Sequence, residues 1–175
     1  MTTRMLAGFT LAIALLAAGA AEAQQSPPAN PLDVIPEQLP FNVPYGAPIG
    51  ADRAREVIAA AVAEAKKRNW PLNIAVVDGA GQLVAFERMD NAQIASVAIS
   101  QLKARAAATY RRETKVFEGA IQGGFVYLFT LDDMMASRGG VPLIEGGKLI
   151  GAIGVSGGNG SQDEVVAKAG AALIK

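Results

Sequence analysis

GGVPLIEGGKLIGAIGVSGGNGSQD, residues 139–163, is the stretch whose reading decides the fold. Two apolar runs flank Gly146-Gly147. A two-residue Gly-Gly link between such runs predicts a β-hairpin, because both turn positions need φ > 0. The second run, Leu149 to Val155, carries Gly151 and Gly154 inside it. Glycine weakens a strand, so its presence there marks close approach by another backbone or by a ligand. Ser156 to Gly160 then reads as a loop, and Ser161-Gln162-Asp163-Glu164 as a capping box opening a last helix, Gln162 to Ile174.

Towards the N-terminus, Leu72 to Asp78 and Leu83 to Arg88 read as two strands joined by the turn cluster Asp78-Gly79-Ala80-Gly81. Leu72, Ile74 and Val76 share one face of the first, Ala75 and Val77 the other. Apolar groups on both faces predict a sheet covered on both sides. Before it, Ala54, Val57, Ile58, Ala61, Val62 and Ala65 recur at helical spacing and predict a helix from Ala51 to Arg68, stopped by Asn69-Trp70-Pro71. A second helix is expected from Asp90, with Gln93 as a capping partner. It carries no charge between Ala92 and Leu102. In a domain this small such a helix predicts burial against another subunit. Thr114 reads as the N-cap of a short helix to Ile121, Phe125 to Thr130 as a short strand, and Leu131 to Ala136 as a helical turn. The chain is thus an α/β protein with one domain, residues 51–175.

What precedes the domain divides in two. Arg4, the apolar Met5 to Gly19 and Ala21-Glu22-Ala23 have the order of a secretory signal peptide, residues 1–23, cut after Ala23. The apolar run is short of the roughly 20 residues that a membrane span needs. The expected location is therefore periplasmic or secreted. Residues 24–50 form a proline-rich arm, read as a tether or as a segment packing on a neighbour through Leu39, Phe41, Val43 and Tyr45. The chain has no cysteine, so export brings no disulfide. It has no histidine either, which removes Ser-His-Asp and Cys-His catalysis and histidine-based zinc sites. A net charge of zero leaves no basic excess to hold a nucleic acid backbone.

Two groups of residues are candidates for holding a ligand. The loop Ser156, Gly157 and Gly158 presents backbone amides at a helix N-terminus, where a phosphate or carboxylate binds; capping by the first-turn side chains is the structural alternative. Arg88, Lys103 and Arg105 converge on a propionate or small acid if the second helix crosses the sheet; ion pairs with Glu87, Asp90 or Glu113 are their structural alternative. No nucleophile–base constellation is present, and no catalytic residue is assigned.

AVVDGAGQLVAFERMDNA (75–92), the KARAA of the second helix, GGVPL and GAIGVSGGNGSQDEVVAKAG (151–170) together resemble the GlcG/HbpS-like family, whose relatives include extracellular haem-binding proteins and the C-terminal domain of PduO-type cobalamin adenosyltransferases. The resemblance runs from Ala51 to Ile174. It implies a profilin-like three-layer α/β/α fold with an antiparallel, roughly five-stranded sheet, homo-oligomers that are often octamers, and haem or iron binding in some members. Haem-binding members use a histidine as axial ligand, and this chain has none. The donors left for iron are Tyr45, Tyr127, Met89, Met134 and Met135, each also readable as an ordinary core or surface residue. The leading expectation is an exported, oligomeric small-molecule-binding protein with haem as candidate cofactor. An enzyme acting on haem or a small organic acid, and an accessory subunit of a periplasmic complex, are the two alternatives.

Overall fold

The computed structural model describes residues 35–39 and 41–175; the expected signal peptide and the arm before residue 35 lie outside the described residues. The chain divides after Glu37, and every element belongs to the second unit, Gln38–Lys175. In order these are α1 (Ala51–Lys67), β1 (Asn73–Asp78), β2 (Leu83–Arg88), α2 (Ser96–Thr109), α3 (Thr114–Gln122), a 3-10 turn (Val126–Thr130), β3 (Gly140–Glu145), β4 (Lys148–Ser156) and α4 (Gly160–Ala171). The four strands form one antiparallel sheet in the order β2-β1-β4-β3, against the roughly five that the family resemblance implies.

The period-2 alternation of β1 and β4 sorts two apolar layers. Ile74, Val76, Ile153 and Val155 meet Val57, Ala61, Val62 and Val166 from α1 and α4 in the main core. Ala75, Val77 and Ala152 meet Ala104, Ala107 and Ala108 of α2 in a second cluster on the other face. Burying each large aliphatic side chain of the first cluster is worth about 1.5–3 kcal/mol. The second cluster is built from small side chains, so it contributes less area and instead lets the helix sit close.

That closeness explains the strand glycines. A Cβ on Gly154 would run into the Ser100 carbonyl and Ala104, and one on Gly140 into the Lys103 carbonyl. At Gly151 it would meet the Val77 carbonyl of the neighbouring strand. The glycines of β4 therefore admit backbone, not a ligand. Gly146 and Gly147 take φ of 54° and 76°, as the two-residue turn requires.

Tertiary context moves several boundaries. Asn91 adopts φ 65°, and α2 starts at Ser96 instead of Asp90; the Gln93 side chain accepts from the Ser96 hydroxyl and its carbonyl from the Asn73 amide. Glu113, not Thr114, is the N-cap residue of α3. The Thr114 hydroxyl donates to the Ser137 carbonyl and accepts from the Gly140 amide, pinning the start of β3. Phe125 to Thr130 is not a strand: its residues wind into the 3-10 turn, with Leu128 buried and Phe129 exposed. Leu131 to Ala136 carries no helix.

The arm joins the fold before Ala51. β1 ends opposite Gly151, and beyond that point β4 finds new partners. The Leu149 amide donates to the Pro44 carbonyl at 2.8 Å, the Gly46 amide to the Leu149 carbonyl at 2.7 Å, and the Ile49 amide to the Ile150 carbonyl at 2.9 Å. Arg112 fixes the preceding turn of chain, its guanidinium 2.9 Å from the Phe41 ring centroid and 5.1 Å from that of Phe117.

Candidate functional site

The glycine loop is closed from within. Asn159 is the N-cap of α4, and it forms the capping box with Gln162 that Ser161 and Glu164 were expected to make. The Asn159 side chain accepts from the Gln162 amide at 3.0 Å, and the Gln162 side chain from the Asn159 amide at 2.9 Å. Asp163 turns back into the protein. One of its oxygens accepts from the Gly158 amide at 3.0 Å and the other from Lys103 Nζ at 2.7 Å. Both partners of this ion pair are buried, with side chains 2% and 3% exposed. Ser156 is buried beside them, and Gly157, at φ 138°, lies against Pro71 and Leu72.

The cations read from the sequence do not converge. Lys103 lies with Ser156, Gly157 and Gly158 only through Asp163. Arg88 stands exposed at the end of β2, in register with Asn73 and through it with Ser156. Arg105 points to the β1–β2 turn, donating to the Gly81 carbonyl at 3.3 Å and lying 3.6 Å from Asp133. It borders a cavity of about 330 Å³ between α2 and the edge strand, lined also by Leu83, Val97 and Leu102.

A larger cavity, about 540 Å³ and open to solvent, lies where the arm crosses the β1–β2 turn; Tyr45, Pro48, Asp78, Gly79, Ala80 and Thr109 line it. Two constraints place Tyr45 there. Its backbone bridges Leu149, and its hydroxyl donates to the Thr109 carbonyl at 3.2 Å. The Arg111 guanidinium stands 5.3 Å from its ring centroid and donates to the Val43 carbonyl. Asp78 closes the β1–β2 turn, one oxygen accepting from the Ala80 and Gln82 amides at 2.9 Å each. Asp78, Thr109 and Arg111 were missed in the sequence, since only the path of the arm brings them to Tyr45.

The other candidate donors sit elsewhere. Met89 is packed against the main core and borders a separate cavity of about 330 Å³ beside Trp70 and Lys66. Tyr127 makes an edge contact with Phe125, and Met134 and Met135 are half-buried. Among the described residues no three or more His, Cys, Asp or Glu side chains gather where they could hold a metal ion.

An ion network ties α3 to α4 and to the chain before β3. Arg138 holds Glu118 through one guanidinium edge, Nη2 and Nε donating to Oε1 at 2.6 and 2.9 Å, and its Nη1 reaches Glu164 at 3.5 Å. Glu164 also takes Lys168 at 2.7 Å and Lys115 at 3.2 Å. The Arg138 bond holds the Glu118 carboxyl below its ordinary value. Burial pushes Glu164 upward, but its bonds to Lys168 and Lys115 outweigh that and leave it lowered. The same bond to Glu164 raises the Lys168 ammonium.

The family described as "Haem degrading protein HbpS-like" matches residues 49–172. The chain is 46% identical over 103 residues to Protein GlcG of Escherichia coli K12, covering 59% of this chain and 77% of that one. The crystal structure of an HbpS double mutant from Streptomyces reticuli superimposes with a TM-score of 0.69 at 27% identity, covering 85% of this chain and 99% of that chain. The crystal structure of a PduOC–haem complex gives 0.67 at 26% identity, covering 74% and 96%.

Proposed function

This chain belongs to the HbpS-like family, and on that premise we propose that it is an exported, homo-oligomeric small-molecule-binding protein whose ligand is haem. The observation that carries the reading is the match over residues 49–172, supported by a solved neighbour described as a haem complex. The frame we assign is the family's profilin-like three-layer one. The location is periplasmic or secreted once residues 1–23 are removed, and the assembly is the family's octamer. Leu83 and Leu102, which are 50% and 39% exposed, leave an apolar patch between α2 and the edge strand, and Ile94, 79% exposed, stands just before α2; such surface supports assembly.

The donor chemistry of this chain fits haem in one way. With no histidine and no cysteine, an iron must take an oxygen or thioether donor. The cavity beside the arm offers a phenol and apolar walls from Pro48 and Ala80, with the Asp78 carboxylate on its lining and Arg111 against the phenol ring outside it. Haem, when bound, supplies an iron that can take up a ligand or an electron. The chain's own part would be to hold the ring between the arm and the β1–β2 turn, against Tyr45, Pro48 and Ala80.

Hemin titrated into the purified protein tests this. The expected result is saturable micromolar binding with a shifted Soret band, and native mass spectrometry showing a defined oligomer carrying the added mass. An unchanged hemin spectrum, with only unliganded protein in the mass spectrum, would refute the reading.

A further inference from the structure

We propose that the outer edge of β2 is a docking surface for a second copy of this chain, the two β2 strands pairing antiparallel about a two-fold axis; the contact presupposes the homo-oligomer proposed above. β2 ends the sheet, and among the described residues no main-chain group bonds to its outer side. The register shows which groups are open. The Met89 amide donates to the Leu72 carbonyl, so, two residues on each time, Ile74–Glu87 and Val76–Ala85 are the pairs bonded across the ladder. Phe86 and Arg88 lie between them and turn their N–H and C=O groups outward. One more extended strand satisfies such an edge. The opposite edge of the sheet supplies it poorly, because on β3 the Gly140 amide is taken by Thr114 and Pro142 has no N–H.

A second copy fits this edge better than an isolated peptide does. Beside the edge, the half-exposed Leu83 and Leu102 border the cavity between β2 and α2. A two-fold axis sets strand beside strand and helix flank beside helix flank, since each copy offers the same patch. Residues 92–102 carry no charge, so the flanks meet without like charges, and Arg105 at the far side of the cavity has Asp133 as its counter-ion. A lone extended peptide would satisfy the main chain and leave both leucines in water. The same symmetry selects the register, because antiparallel pairing about a two-fold centres on one residue. Centring on Glu87 sets two carboxylates directly opposite each other, which destabilises. Centring on Ala85 puts Val84, which the bulge leaves without a partner on β1, into both central bonded pairs. Centring on Phe86 joins its open N–H and C=O to those of its copy and sets ring beside ring, a stabilising pair.

The chain has no cysteine, so one introduced at the axis reports on this contact alone. Native mass spectrometry gives the subunit number of the wild type, Phe86→Cys and Phe86→Pro, and Val165→Cys, exposed on α4, sets the background of oxidation. Under mild oxidation Phe86→Cys should give a disulfide-linked dimer, because directly opposed residues bring their Cβ atoms to about 4.5–5.5 Å, close to the span that a disulfide bridges. Val165→Cys should not. Phe86→Pro removes an outward N–H that β1 does not use. It should keep the wild-type far-UV circular dichroism, split the assembly into smaller species and weaken association about tenfold or more, the equivalent of one hydrogen bond from each copy. Should Phe86→Pro fail to fold, the cross-link decides. A monomeric wild type removes the oligomer reading and this contact with it, and leaves the edge to a strand of another protein. An oligomeric wild type in which Phe86→Cys cross-links no faster than Val165→Cys, or in which a folded Phe86→Pro keeps the full subunit number and affinity, overturns the β2 contact alone.

Discussion

Lys103 and Asp163 show how far one residue's role depends on a distant partner. The lysine reads in sequence as a cation free to meet a ligand, and the structure buries it against a carboxylate 60 positions away. Nothing local announces that pairing. The capping box was misplaced for a related reason: Ser161-x-x-Glu164 and Asn159-x-x-Gln162 satisfy the same pattern two residues apart. Only the tertiary demand on Asp163, which the Asn159 register leaves pointing inward, selects between them. Asp163→Ala should strand a buried ammonium and leave the Gly158 amide without its acceptor, a loss of about 3–5 kcal/mol. Urea midpoints at a fixed slope measure it. A paired Lys103→Met, Asp163→Leu replacement should recover much of the loss; if the single change costs under about 1 kcal/mol, the pair does not hold the loop.

Elements were legible where one local rule dominates. The span of β2 and the Gly-Gly hairpin follow from alternation and turn chemistry, and α1 from its helical stripe. The start of α2 was not legible, because the left-handed Asn91 and the Asn73 bond that capture Gln93 are set by tertiary packing. The aromatic run after Gly124 has strand composition, but it winds into a 3-10 turn that buries Leu128. The small-residue contact between α2 and β4 carries the prediction at this scale. Gly154→Ala must push the helix away from the strand, because the added carbon meets backbone rather than a flexible side-chain end. The expected cost is about 1–3 kcal/mol, seen as a lowered Tm. A melting curve equal to wild type would show that the helix has slack at that point.

At the scale of the molecule, the carboxylates of the α3–α4 network govern the acid limb of stability. Glu118 and Glu164 titrate below their ordinary values in the folded state. Unfolding therefore takes up protons in acid. Their contribution is full above the unfolded value, about 4.3, and disappears as pH falls through the folded one. Tm should drop steeply below about pH 4.5, and Glu118→Gln should flatten that slope while lowering Tm at pH 7. Parallel acid limbs in the two proteins would contradict this. Lys168 has the opposite sign, its raised ammonium adding stability that is lost only in strong alkali. The sheet with helices on both faces was readable from the apolar residues on both sides of β1. The cavity beside the arm was not, since it exists only because the segment from Pro44 to Ile49 takes over the hydrogen bonds of β4 where β1 ends.

The two rims of the sheet differ in what they offer a passing strand. On β3 the outward positions are Gly140, whose amide Thr114 already uses, and Pro142, which has no N–H to give. On β2 the outward positions, Phe86 and Arg88, keep their main-chain groups open, since β1 bonds the alternate residues. A ribbon extended by strand addition therefore has a live end and a dead one. Two copies joined live end to live end would close on themselves, and the polymer chemistry that makes fibrils from open sheets would have no second terminus to grow from.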